Sequence, residues 1–142
     1  MPTPIIVHER IAEWVGLLRP RFADEPRIRW VESRSADDLV SAAHGSERSI
    51  VLINLAHRTY WGMENLNAFD QARYDALILV IDPQSVPAVP TLARELGATL
   101  VWSGVVVPPR VEALFRRWLD LIKSRSSSLH DRRTARTVSS LH

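Results

Sequence analysis

Short apolar runs alternate along this chain with segments of helical spacing. Residues 4–7 form a compact apolar run that reads as a strand and leads into the polar pair His8-Glu9. Ile11, Trp14, Val15 and Leu18 then recur at helical intervals until Pro20 ends the pattern. Ile28, Trp30 and Glu32 alternate with Arg29 and Val31, as a half-buried strand would. Ser35 is a natural N-cap with Asp38 three residues on, and it opens a short helix through Leu39, Val40 and Ala43 that closes at Gly45. Residues 50–54 predict the third strand and residues 63–74 a weaker helix. Residues 76–81 are nearly all apolar, the signature of a strand covered on both faces. Pro87 and Pro90 crowd the start of a helix that ends at Gly97; residues 99–102 predict a fifth strand and 110–123 a final helix.

Five strand–helix units in succession predict an α/β fold with a doubly wound, five-stranded parallel sheet, flavodoxin-like in architecture. Such sheets bind ligands beyond the carboxyl ends of their strands. That directs attention to His8 and Glu9, Asn54, Asp82 and the segment after Trp102. One domain over residues 1–123 and a Ser/Arg-rich tail over 124–142, expected to be disordered, account for the chain.

Composition narrows the chemistry. The chain has no cysteine, which removes disulfides and thiolate-based metal sites. No stretch approaches the roughly 20 apolar residues of a membrane span, and residues 1–7 lack the form of a secretion signal, so the expected compartment is the cytoplasm. The 18 basic and 16 acidic residues leave a net charge of +2. Four of those bases (Arg125, Arg132, Arg133, Arg136) and one acid, Asp131, lie in the tail, so the domain is within one charge of neutral. Nucleic-acid binding would rest on that tail, which carries no aromatic residue for base stacking. No glycine-rich phosphate loop or nucleophile elbow is present, so no FMN or other cofactor is expected. His8 and His57 lack metal-ligand spacing, and no metal site is expected there.

The stretch "IVLINLA", with Asn54 near its end, together with "GMENL" and "ARELGATLVWSGVVVPPRVEALFRRWL", resembles the receiver domains of response regulators over residues 4–124. The resemblance implies the strand order 2-1-3-4-5 and places Asn54 where the family carries its phosphorylated aspartate. Two acids after the first strand would hold magnesium; here they correspond to His8 and Glu9. The fourth strand ends at Asp82 rather than Ser or Thr, and the family's lysine falls at Pro108. An amide is no useful nucleophile toward a phosphodonor, and one carboxylate makes a poor magnesium site. The resemblance therefore implies a pseudo-receiver with a vacated phosphorylation pocket formed by His8, Glu9, Asn54, Asp82 and Pro108, acting through protein interaction.

Two surfaces are candidates for that interaction. His57, Arg58, Tyr60 and Trp61 follow the third strand and are residue types enriched at interface hot spots; the alternative is that Tyr60 and Trp61 close over the emptied pocket. Leu114, Phe115 and Trp118 lie on an unusually wide apolar stripe, and the resemblance implies a homodimer through helix 4, strand 5 and helix 5. An enzymatic alternative rests on Glu9 and Asp82: "LILVIDPQS" is weakly similar to the metal-dependent Toprim phosphoryl-transfer and nuclease domains. Those place a second acid where this chain has Gln84.

Overall fold

A computed structural model describes the backbone of residues 1–140 and the side chains of residues 1–124. The side chains of the expected tail beyond Ser124 therefore fall outside the described residues, while its backbone continues the last helix to Ser140. Five strands, β1 (Thr3–His8), β2 (Ile28–Ser33), β3 (Ser49–Asn54), β4 (Ala76–Asp82) and β5 (Leu100–Ser103), form one parallel sheet in the order β2-β1-β3-β4-β5. The helices α1 (Trp14–Leu18), α2 (Ala36–Ala43), α3 (Thr59–Ala72) and α4 (Val89–Glu95) make the four crossovers, with a 3-10 turn (Arg19–Phe22) after α1, and α5 (Pro108–Ser140) follows β5. No described helix is long and apolar enough to cross a membrane.

The near-continuous apolar character of β3 and β4 follows from their central place, since both faces are covered. Strand alternation divides the core in two. Ile5, Val7, Ile50, Leu52, Leu79 and Ile81 pack against α1 and α5. Ile6, Val51, Ile53, Ile78 and Val80 pack against α2, α3 and α4. The same parity decides where the strand-end polar residues go. His8, two beyond Ile6, and Asp82, two beyond Val80, continue the α2–α4 face, whereas Asn54, two beyond Leu52, continues the α1–α5 face.

Three expectations are corrected here. Ile11 is exposed and the first helix begins only at Trp14, because the Glu9 carboxylate accepts from the N–H groups of Glu13 and Trp14 and fixes the helix start there. The third helix begins at Thr59 rather than at residue 63, so Tyr60 and Trp61 occupy its first turn instead of a loop. Leu114, Phe115 and Trp118 are not a free dimer face: all three are buried in the α1–α5 core. The apolar stripe of α5 is wide because the helix meets the sheet and also Trp14, Leu18 and Phe22. Arg116 fastens it further, lying 4.7 Å over the Phe22 ring and donating to the Arg21 carbonyl at 2.8 Å.

Candidate functional site

The carboxyl ends of β1, β3 and β4 bring His8, Glu9, Asn54 and Asp82 to one edge of the sheet, all four buried. They form two separate constellations. On the α1 side, Glu9 Oε1 accepts from Trp14 N–H at 2.7 Å and from Asn54 Nδ2 at 3.1 Å, while Oε2 accepts from Glu13 N–H at 3.1 Å. The Asn54 amide also reaches Glu13 Oε2 at 3.5 Å. Its other end, Oδ1, accepts from Ala56 N–H at 3.0 Å, a side-chain turn that starts the chain's departure from β3. His57 completes that reversal in the left-handed region, with φ of 70°.

On the opposite side, His8 Nδ1 lies 2.8 Å from Ser33 Oγ. The indole of Trp61 stacks on the His8 ring, with centroids 4.6 Å apart and planes within 6°. Desolvation holds His8 at a pKa of about 4, well below its usual 6.5, against smaller opposing effects of Asn65 and Asp38. His8 Nε2 and Asn65 Oδ1 are both buried with no well-formed hydrogen bond. Asn65 is itself held by donating to the Trp61 carbonyl one helical turn earlier. The ring is therefore a neutral spacer between β2 and α3.

Asp82 Oδ2 accepts from Val86 N–H at 2.8 Å, and Oδ1 is buried without a partner. The Asp82 carbonyl accepts from Gly104 N–H at 2.8 Å. Gly104 has φ of +83°, which suits a residue with no Cβ. Pro108 does not share this position: it opens α5, with Val105, Val106 and Val107 between it and Gly104. Gly104, just past the end of β5, is the residue that bonds to Asp82 from that strand, four positions before Pro108.

Glu9 and Asp82 share no hydrogen-bond partner among the described residues. Gln84 Oε1 accepts from Thr59 Oγ1 at 3.2 Å, and no group of three or more His, Asp or Glu among the described residues is arranged to hold a metal ion. His57 and His8 do not meet; the partner of the His8 ring is Trp61. Ser33, Asn65, Glu13 and Gly104 went unread in the sequence. Their partners lie 4 positions away for Glu9–Glu13, 22 for Asp82–Gly104, 25 for His8–Ser33 and 57 for His8–Asn65, so three of the four have no local signature.

Neither a family model nor a curated protein matches the chain's sequence. Solved structures do. The signal receiver domain of a LuxO repressor protein from Vibrio parahaemolyticus superposes with a TM-score of 0.72 at 12% identity, covering 90% of this chain and 98% of that one. The fold is that of a response-regulator receiver domain. A BeF3-activated DrrB receiver domain gives 0.64 at 15% identity, covering 84% of this chain and 99% of that one. A pilus assembly protein, CpaE, from Burkholderia thailandensis gives 0.61 at 14%, with 81% and 96% covered. At such identities the receiver likeness is one of fold, and the chemistry of the pocket has to be read from this chain's own side chains.

Proposed function

We propose that this receiver fold serves as a phosphorylation-independent protein-interaction module in signalling or regulation. The observation that carries the reading is the state of Asn54. It lies at the end of β3, where the receiver resemblance places the phosphoacceptor, and both ends of its amide are committed to the protein. The carboxylate nearest to it, Glu9, is spent on capping α1. On the far side of the pocket Trp61 stacks on His8, whose imidazole desolvation keeps uncharged. What remains of the receiver is a rigid sheet edge with an aromatic cover.

Incubation of the purified protein with acetyl phosphate and magnesium, followed by intact-mass spectrometry, tests this. The expected result is an unchanged mass under conditions that phosphorylate an ordinary receiver. An added phosphoryl group that survives unfolding and maps to Asp82, Glu9 or His8 would overturn the reading.

A further inference from the structure

The residues that follow β1, β3 and β5 carry exposed apolar side chains at the carboxyl edge of the sheet. Ile11 is 62% exposed, Tyr60 77%, Val105 94% and Val107 53%. With strands about 4.8 Å apart, the three intervals from β1 to β5 spread this rim over about 14 Å. The β4–α4 turn between them, residues 83–88, carries no charged side chain, and Thr59 ties that turn to α3 through Gln84. The rim's charge is one-sided. Arg10, Arg58 and Arg110 are exposed and take part in no ion pair among the described residues, against one exposed acid, Glu13, on the same connections. Arg110 is already oriented, its guanidinium 3.9 Å over the Trp102 ring.

We propose that this rim is the docking surface of the interaction module, and that its partner is an acidic protein segment with aliphatic or aromatic anchors. The inference rests on the reading that the module works by binding, and it names where and what it binds. Charge excludes the nearer candidates. The chain's own tail carries four arginines and one acid, and a second copy would bring the same three arginines to face these. Three of the four exposed apolar groups are aliphatic and offer bases no stacking surface, which favours a peptide over a nucleic acid.

Peptide display against the full-length protein provides the test, with synthetic versions of the selected peptides then titrated by fluorescence anisotropy and amide NMR. Selected sequences should be enriched in Asp and Glu around apolar residues. Shifts should fall at residues 10–13, 57–61 and 104–107. Affinity should drop by about tenfold or more in a variant combining Arg10→Glu, Arg58→Glu and Arg110→Glu, and independently in Val105→Asp. Both variants alter exposed positions, and circular dichroism confirms their folding. Shifts confined to another face, absence of acidic enrichment, or tighter binding of a single-stranded oligonucleotide than of the peptides would overturn the inference. Rim binding that appears only after acetyl phosphate treatment would uphold the docking site and overturn phosphorylation independence instead.

Discussion

Replacing Asn54 with aspartate should cost the fold about 3 kcal/mol at pH 7. The substitution exchanges the Nδ2 donor, 3.1 Å from Glu9 Oε1, for an oxygen facing that carboxylate. The charge-assisted hydrogen bond, worth about 1.5–3 kcal/mol, is lost, and a like charge is added at a buried site. The turn to Ala56 N–H survives, because the Oδ1 acceptor remains. The new carboxyl would face a carboxylate at a buried site, which raises its pKa above that of an unfolded chain. A raised carboxyl pKa means that the folded state binds the proton more tightly. The penalty is therefore complete above the folded value and shrinks as pH falls toward the unfolded one. Urea denaturation of the wild type and Asn54→Asp at pH 7 and pH 5 reads this directly, as a stability gap that narrows with acid. Equal stability at pH 7 would show that the Asn54–Glu9 contact contributes nothing.

The second large effect concerns His8. Its pKa is lowered by burial to about 4 from 6.5, so the unfolded chain takes up a proton before the folded one does. Stability is complete above pH 6.5 and falls through the window down to pH 4, by about 3 kcal/mol in total. His8→Phe keeps a ring against Trp61 and removes the proton, so its stability should stay nearly flat across that window. Ser33 Oγ retains the Ser35 carbonyl at 3.4 Å in that variant. Trp61→Ala should lower stability at pH 7 and let the His8 pKa rise toward 6.5, shrinking the acid-dependent loss. Glu25 gives a separate limb at lower pH. The hydrogen bond from Arg27 holds its pKa at about 2, so its contribution fades only between pH 4.5 and pH 2. Identical acid profiles for the wild type and His8→Phe would contradict the buried, neutral imidazole.

Much of this architecture was legible in the residues. The runs at β3 and β4 are apolar because both faces are covered, and such runs read plainly. Ser35 caps α2 by accepting from Asp38 N–H at 3.1 Å, as its spacing suggested. The strand order came with the receiver resemblance, which rests on the texture around Asn54 and the Gly97-Ala98 pair. What failed to read were features set by distant partners. The start of α1 depends on a glutamate that belongs to the sheet edge, and periodicity alone placed it at Ile11. The first turn of α3 has little apolar repeat, because Tyr60 faces solvent and Trp61 turns toward His8. The buried state of Phe115 and Trp118 depends on Phe22 and Trp14 crossing over α5, which a single helical stripe does not reveal.

The vacated pocket is the central claim, and an amide NMR titration with magnesium, then with magnesium plus beryllofluoride, tests it most directly. The account predicts no saturable shifts at Glu9, Asn54, Asp82 or Gly104 at either step. Saturable shifts at those amides on adding beryllofluoride would mean that the pocket still accepts a phosphoryl mimic, and would contradict it.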